Sequence, residues 1–392
     1  MKKIMFAAMF VTAGIVLTAA EMKWEDFSDA SVWKLGRTAL KDQDMANGLI
    51  KFNGPGKIYN RSFRVFPAVG DDPDKKFTGI AFKVASDGIG GWGSITINAG
   101  PRDCAYYYFP LKKGTFEYRV AFGDMAPAKD MANPAPQVIT AGQLSGITVG
   151  DYWAIGQNNY RRPKYSFQLA DLRLLDDIKP QFVRGKHAPA KLDGVIAKMK
   201  AGKAVTILCF GDSITAGSGL QDREKDRYAT VLQGMLRKHY KNDRITVRSV
   251  AVGGAHTFQS IAWLDRDLAD GMPDAATMLI GYNNRSACQS KDFYAEHLTE
   301  WIERFAMKTG GKAALVLIPA VQGVPRFTDQ QDMADATREV AAKFGLETSP
   351  IDEAIAKIGP VKYRAEYLGD AIHPNPAGHK LFAEVLFKTF AK

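Results

Sequence analysis

The pattern of hydrophobic and polar residues divides the chain into two halves. Between residues 24 and 177, short β-rich runs are separated by Gly, Pro, Asn and Asp. Many of these runs alternate polar with apolar or aromatic residues, which is typical of strands with one buried face. No amphipathic helix interrupts them, so the pattern predicts an all-β sandwich over residues 21–177. The predicted strands include 48–53, 57–66, 77–85, 94–98, 105–111, 115–122 and 165–175.

After residue 177 the pattern changes to that of an α/β domain. A helix is expected over 190–201, and it leads into a continuous apolar run at 204–210. Such a run is suited to a strand that is covered on both faces. Further apolar runs, each a helix length apart, predict a parallel sheet with helices on both sides, and a last helix is expected at 376–390. These further runs lie at 245–252, 275–280 and 313–318. Residues 178–202 are then a linker with a lead-in helix, and 203–392 the second domain.

The first 20 residues have the features of a secretory signal. Lys2 and Lys3 precede an apolar stretch that ends at Leu17, and small residues follow at positions 18–20. This arrangement predicts cleavage before Glu21, and the alternative is an uncleaved anchor. Export would place the protein outside the cell or in the periplasm.

Composition excludes several classes of protein. The chain has 392 residues, of which 46% are hydrophobic and 24% charged, so it is neither disordered nor an integral membrane protein. Its net charge of +10 is spread along the chain without a basic stripe, and we therefore expect no nucleic-acid partner. Three cysteines, with no metal-binding spacing, predict free and mostly buried thiols, no metal and no cofactor.

The strongest candidate for chemistry is a serine at the end of the first apolar run. Gly211, Asp212 and Ser213 stand where a buried strand ends and a helix is expected to begin. Open α/β sheets bind their ligands at this edge, so Ser213 is placed as a nucleophile would be. Taken alone, the same three residues could equally be a tight turn with a helix cap.

A second candidate lies near the end of the chain. Serine needs a base to accept its proton, and that base needs a carboxylate to orient it. Asp370 precedes His373 by three residues and could fill the second role while His373 fills the first. By itself such a pair is mostly chance, but no other histidine has a comparable acidic neighbour. His379 is expected to lie on a helix surface.

Acyl transfer also needs hydrogen-bond donors for the developing oxyanion. Gly253 and Gly254 follow the second apolar run, where a bare backbone can approach a ligand closely, and Asn283 follows the third. Each of these features alone is more often a turn.

Together, these four blocks resemble the SGNH hydrolases, the GDSL-like esterase superfamily, over about residues 203–392. The resemblance implies a doubly wound, five-stranded parallel sheet and a serine esterase mechanism. It assigns Ser213 as nucleophile, His373 as base and acid, and Asp370 as the orienting carboxylate. The Ser213 N–H, Gly254 (preferred to Gly253) and the Asn283 amide would form the oxyanion hole.

One residue departs from the family pattern. Asn284 stands where the family usually has an aspartate. Because the donor amide of Asn283 is retained, we expect a changed supporting hydrogen bond and not a loss of activity.

The run at 165–174 resembles, more weakly, the closing strand of a galactose-binding-like jelly roll, the architecture of many carbohydrate-binding domains. The aromatic residues of the first half could stack on sugars or pack in a core. Because neighbours on a strand point to opposite faces, the run at 106–109 leaves at least one ring facing outward. The other aromatic candidates are Trp92, Tyr152 and Trp153.

These features predict a secreted serine esterase that removes O-acyl groups, most simply acetyl, from a polysaccharide or oligosaccharide. One alternative is a lipase-like or thioesterase-like hydrolase of longer acyl chains, and another is a non-catalytic glycan-binding protein. Since all site residues lie beyond residue 210, a chain truncated to start near residue 178 is expected to hydrolyse small acetyl esters. The competing expectation is that the β half packs over the site as a lid, in which case truncation would abolish small-ester hydrolysis or solubility. The oligomeric state is not predicted.

Overall fold

The structure is a computed structural model that describes residues 21–25, 34–35, 38–39, 45–46, 49–53, 59–62, 71–86, 88, 91–99, 102–127, 137–149, 166–324 and 327–392. The predicted signal sequence and the aromatic residues Tyr152 and Trp153 lie outside these ranges. None of the helices within them is long and apolar enough to span a membrane.

The first half consists mostly of antiparallel strands in two sheets. One sheet has the order β11-β8-β15-β5-β4 with β1 paired to β15, the other has the order β12-β10-β9-β14-β6-β2-β3, and β7 pairs with β13. The strands are β1 (Glu21–Glu25), β2 (Lys34–Leu35), β3 (Thr38–Ala39), β4 (Met45–Ala46), β5 (Leu49–Asn53), β6 (Tyr59–Ser62), β7 (Lys76–Phe77), β8 (Gly79–Ser86), β9 (Trp92–Ala99), β10 (Arg102–Pro110), β11 (Gly114–Ala121), β12 (Ala126–Pro127), β13 (Ile139–Thr140), β14 (Leu144–Val149) and β15 (Ser166–Leu175).

A hydrophobic core lies between the two sheets. The rings of Phe82 on β8 and Phe109 on β10 have centroids 5.2 Å apart, and both side chains are fully buried. Ile97 of β9 and Leu169 of β15 belong to the same cluster. The alternation read from the sequence therefore marks a sandwich-type fold, as predicted, while its assignment as a jelly roll stays a prediction.

The second half confirms the predicted parallel sheet. Its strands are ordered β17-β16-β18-β19-β20, and every pairing is parallel. The strands are β16 (Val205–Gly211), β17 (Ile245–Ser249), β18 (Ala275–Leu279), β19 (Ala314–Ile318) and β20 (Glu347–Thr348). The helices are α1 (Leu192–Lys200), α2 (Ser213–Ala216), α3 (Arg223–Asp226), α4 (Tyr228–Tyr240), α5 (Thr257–Ala262), α6 (Leu264–Leu268), α7 (Tyr282–Ser286), α8 (Lys291–Lys308), α9 (Gln331–Phe344), α10 (Ile351–Ile358), α11 (Pro360–Tyr367) and α12 (Pro376–Phe390).

Alternate residues of the strands pack on opposite faces of this sheet. On β16, Ile207 and Cys209 face a cluster formed by α1, α4, α10 and α12, whereas Leu208 and Phe210 face α8 and α9. Both clusters are apolar, which explains why the strands are continuous hydrophobic runs and do not alternate. The carboxyl ends of β17, β16 and β18 lie side by side, so the loops that follow them meet.

The two halves share an apolar contact. On β10, Tyr107 packs against the sandwich core, while Tyr106 and Tyr108 face the α/β half. The Tyr106 ring lies 6.4 Å from that of Phe258 on α5, and the Tyr108 ring 6.4 Å from that of Trp263. The outward rings that the alternation predicted are thus covered by the second half of the chain.

A buried arginine adds a polar link between the halves. Arg304 on α8 donates to the backbone oxygens of Asp124 at 2.7 Å, Gly123 at 2.9 Å and Met125 at 3.0 Å. Its Nε donates to Glu300 at 2.7 Å, and its guanidinium lies 4.2 Å from the Phe182 ring. Each half therefore has a core of its own and also depends on contacts with the other. The exact domain boundaries stay a prediction.

Candidate active site

Ser213 begins the short helix α2 directly after β16. Asp212 is the N-cap, and its Oδ1 accepts the Ile214 N–H at 2.9 Å. The preceding turn is tight, since a Cβ on Gly211 would lie 2.4 Å from the backbone oxygen of Leu279 on β18. A larger residue than glycine would therefore displace β18 or the turn. This fixes the half-buried Ser213 hydroxyl at the carboxyl edge of the sheet.

Asp370 and His373 reach the same edge from the loop between α11 and α12. A bridge between Leu368 and Pro374 closes this loop. His373 Nε2 lies 2.9 Å from Ser213 Oγ, and His373 Nδ1 lies 2.7 Å from Asp370 Oδ2. The other carboxylate oxygen, Asp370 Oδ1, accepts the backbone N–H groups of Ile372 and His373, each at 2.7 Å. The three predicted side chains therefore form one continuous hydrogen-bonded chain.

The charge on Asp370 determines the direction of these hydrogen bonds. Partial burial acts to raise its pKa, but hydrogen bonds from the His373 backbone, the His373 ring and the Ile372 backbone lower the pKa of Asp370 to about 2. An ionised carboxylate can only accept hydrogen bonds, so His373 Nδ1 carries the proton. In the neutral imidazole, Nε2 is then free to accept the proton of the Ser213 hydroxyl.

The predicted oxyanion residues follow the two neighbouring strands. Gly254, in the loop after β17, has φ of +75°, a left-handed conformation that favours glycine. Asn283 lies on α7 after β18, and its Nδ2 donates to the Ala255 backbone oxygen at 3.1 Å and to Asp212 Oδ2 at 3.3 Å. The amide is therefore tied to the residue after Gly254 and to the residue before Ser213.

Asp212 is a site residue that the sequence analysis treated only as part of a motif. It is 1% exposed, and burial raises the pKa of its carboxyl to about 6, opposed by the Ile214 N–H and by His373. Its two oxygens hold the turn of α2 and the amide of Asn283, respectively. Because this second contact joins residues far apart in the chain, only its position beside Ser213 could have drawn attention to it.

Asn284, which stands where the family usually has an aspartate, makes two side-chain hydrogen bonds. It is buried, its Oδ1 accepts the Thr257 hydroxyl at 3.2 Å, and its Nδ2 donates to Gln289 Oε1 at 2.6 Å. An aspartate could accept from Thr257 but could not donate to Gln289. The asparagine thus links α7 to α5 and does not contact Ser213, His373 or Asp370 in these hydrogen bonds.

One expectation from the sequence is wrong. His379 is fully buried and not on a helix surface, because α12 packs this face against α4, and its Nδ1 accepts the Tyr228 N–H at 3.3 Å. Burial lowers the pKa of His379 to about 3, so it is a neutral core residue. Cys209 is buried as expected, but Cys288 is exposed. The side chain of Cys104 lies outside the described residues.

No metal-binding cluster of three or more His, Cys, Asp or Glu residues occurs in the part of the chain that the structure describes. The expected absence of a metal or cofactor stays a prediction.

Comparison with known proteins places this site in a family. Residues 209–381 match the GDSL-like lipase/acylhydrolase family. An acetylxylan esterase of Xylanibacter ruminicola is 26% identical over 210 residues, which cover 47% of this chain and 42% of the relative. Less than half the length of that relative is therefore matched.

Two solved structures are each similar to about half of the chain. A two-domain esterase active on acetylated mannans is 26% identical, with a TM-score of 0.43, over 51% of this chain and 54% of that chain. The acetylxylan esterase Axe2 of Geobacillus stearothermophilus is 19% identical, with a TM-score of 0.41, over 49% of this chain and 97% of that chain. Residues 209–381 form a GDSL-like lipase/acylhydrolase (SGNH) domain.

Proposed function

We propose that this chain is a secreted serine esterase that removes O-acetyl groups from a polysaccharide or oligosaccharide. The observation that carries the proposal is the unbroken chain from Ser213 through His373 to Asp370, with contacts of 2.9 and 2.7 Å. A non-catalytic glycan-binding protein would have no use for such a proton-transfer chain with an ionised carboxylate at its end.

In the first half-reaction, Ser213 Oγ attacks the carbonyl carbon of the ester while His373 Nε2 accepts the hydroxyl proton. Asp370 holds the ring in place and stabilises the imidazolium that forms. His373 then gives the proton to the departing sugar oxygen, which leaves Ser213 acylated. Water attacks this acyl-enzyme in the same way, so that acetate is released and the serine hydroxyl is restored.

Three donors serve the oxyanion of each tetrahedral intermediate: the Ser213 N–H, the Gly254 N–H and the Asn283 amide. The Asn283 amide has two hydrogens. In the resting site one is donated to the Ala255 backbone oxygen and the other to Asp212 Oδ2. One of these bonds is therefore exchanged for a bond to the oxyanion. The contact with Asp212 is the longer of the two, and it is the one we assign to this exchange.

The choice of an acetylated carbohydrate as substrate rests on the acetylxylan esterase relative and on the predicted export signal. The β-sandwich half is compatible with this choice, since appended β domains often extend the surface available to a polymer. No cofactor is needed for this mechanism.

The test is release of acetate from a panel of acetylated xylan, mannan and pectin fragments, with 4-nitrophenyl esters of two to eight carbons for comparison. We expect the acetylated glycans and the acetyl ester to be the best substrates, and Ser213→Ala to lower kcat by about 10³ or more. A preference for the longest acyl chains would favour a lipase-like enzyme. If the wild type binds the glycans but hydrolyses none of the esters, and Ser213→Ala binds them equally well, the protein is a non-catalytic glycan-binding protein.

A further inference from the structure

A cavity of about 940 Å³ lies away from the triad, between residues 184–188 and the helices α8 and α9. The segment that lines it runs on to Ala190, whose N–H donates to Ala313 at 2.9 Å just before β19 begins. Phe344, the last residue of α9, also lines the cavity shortly before β20. The cavity therefore lies at the amino-terminal edge of the sheet, whereas Ser213 lies at the carboxyl edge.

One buried residue that lines the cavity is a glutamate with a hydrogen-bond partner on only one of its two carboxylate oxygens. Glu303 on α8 is 4% exposed, and its Oε1 accepts the Gly185 N–H at 2.7 Å. Its Oε2 is buried and has no hydrogen-bond partner among the described residues. A buried carboxylate oxygen without a donor is costly. When the Glu303 side chain turns Oε2 toward the cavity, a hydroxyl group of a bound ligand would supply that donor. The Thr299 side chain lines the cavity as well.

The outer wall carries three basic side chains, Arg184, Lys186 and Lys343. All three are exposed, and none forms an ion pair with a carboxylate in the described part of the chain. Two further carboxylates line this wall, Glu296 and Glu339, and the second of them is paired with Lys291 at 2.5 Å. Basic groups without carboxylate partners at the mouth favour a ligand with an anionic group there.

We propose that this cavity binds an acidic oligosaccharide. One hydroxyl donates to Glu303 Oε2, the anionic group lies among the three basic side chains, and the Phe344 ring offers an apolar surface to a sugar ring. The choice of a saccharide rests on the proposed function and narrows its substrate class to polymers that carry uronic acids. A sugar phosphate shares the same chemistry and is separated by the test.

The experiment is calorimetric titration of the full-length protein with ester-free ligands. The ligands are a xylo-oligosaccharide that bears glucuronic acid, its neutral counterpart of equal length, free glucuronate and glucose 6-phosphate. We expect the acidic oligosaccharide to bind at least about tenfold more tightly than each of the others, because only it combines the charge with several hydroxyls.

The variants test which residues bind the ligand. Glu303→Gln keeps the size of the side chain but replaces the free acceptor by a donor, and Lys186→Ala removes one exposed charge. Each should weaken binding of the acidic oligosaccharide about tenfold. Lys357→Ala is the matched control, because Lys357 is an exposed lysine on α10, at the opposite face of the sheet, and its loss should leave binding unchanged. Thermal unfolding of each variant checks that it is folded.

Three results would overturn the proposal: no binding of the acidic oligosaccharide, equal binding of the neutral one or of glucose 6-phosphate, or equal weakening by Lys357→Ala. If Glu303→Gln does not fold, Lys186→Ala still decides. Hydrolysis of a small acetyl ester by the wild type is measured separately. Its absence would refute the esterase proposal without affecting this binding result.

Discussion

At the scale of single residues, the Asn283 amide is the most informative group. Its two hydrogens already have acceptors, so its use as an oxyanion donor requires Asp212 to release one of them. The neighbouring Asn284 has the same chemistry but binds Thr257 and Gln289. We therefore propose a catalytic role for Asn283 and a structural role for Asn284, although the two residues are adjacent.

Replacing Asn283 by alanine should lower kcat by about 10² to 10³ and leave KM almost unchanged, since the lost bond forms only in the transition state. Asn284→Ala should instead reduce the free energy of unfolding by about 1–3 kcal/mol, because buried partners lose their hydrogen bonds. Steady-state kinetics and urea unfolding of both variants make the comparison. Equally large losses of kcat would contradict the assignment.

The pKa of Asp212 predicts a pH dependence of stability. Its folded-state pKa of about 6 is above the usual 3.8, so its contribution to stability is fully present below about pH 3.8 and is lost as the pH rises through 6. Asp212→Asn should remove this dependence. The stability of the wild type relative to the variant should fall by about 2 kcal/mol between pH 4 and pH 7. If the difference in unfolding free energy between the two proteins is constant across that range, the pKa of Asp212 is not raised in the folded protein.

The same variant identifies the group that controls activity. Asp370, with a pKa of about 2, stays ionised at every pH where the enzyme is assayed. We expect kcat/KM to rise from acidic to neutral pH, because His373 must be neutral to accept the proton. If that rise persists in Asp212→Asn, it belongs to His373. A flat profile from pH 5 to 9 in the wild type would contradict its role as base.

At the scale of helices and strands, the sequence predicted those strands that are buried on both faces, because they consist of continuous apolar residues. The apolar runs matched β16, β18 and β19 within about one residue at each end. The run at 245–252 overshot β17, which ends at Ser249, because the last apolar residues turn into the loop that holds Gly254. The short β20 has no apolar run of its own, and only the family resemblance implied a fifth strand.

The run of aromatic residues on β10 shows what pattern alone could not decide. Alternation predicted that some of these rings face away from the sandwich core, but not what covers them. Phe258 covers Tyr106, and Phe258 belongs to the helix that directly follows the loop of Gly254. We therefore expect the sandwich to hold in place the loop of Gly254, which is proposed to donate to the oxyanion.

Tyr106→Ala should therefore lower kcat for a small acetyl ester by about tenfold with little change in KM, since small displacements of oxyanion donors are costly. Tyr107→Ala is the matched control, because its ring packs against the sandwich core. We expect it to lower the melting temperature but to leave kcat of the folded protein within about twofold. If the two variants lower kcat equally, the contact between Tyr106 and Phe258 does not hold the loop of Gly254 in place.

At the scale of the whole molecule, the two halves depend on each other. Removal of the sandwich would expose Trp263 and Phe258 to water, whereas Arg304 would exchange its three backbone acceptors for water and keep its ion pair with Glu300. The newly exposed apolar face is the larger cost, because such a face favours aggregation. The sequence showed a change of pattern near residue 178, but the contacts across it arise from side chains that pattern analysis assigns to separate cores.

A chain truncated to start at Ile178 is therefore expected to be insoluble or to lack small-ester activity, in contrast to the expectation from sequence. The full chain with Arg304→Met provides the comparison, as it keeps the apolar contact but leaves the buried Glu300 and three backbone oxygens without their donor. We expect it to fold with a lower melting temperature. Expression, thermal unfolding and acetyl-ester hydrolysis of both proteins decide the matter, and full activity in the truncated chain would show that the halves are independent.

The most direct test of the central claim is covalent labelling by a serine-directed organophosphonate, followed by mass spectrometry of the peptides. We expect one phosphonyl group on Ser213 and loss of acetyl-ester hydrolysis in proportion to labelling. Ser213→Ala should not be labelled, and His373→Ala should be labelled much more slowly. Label on another residue, or an enzyme that stays fully active after Ser213 is labelled, would contradict the central claim.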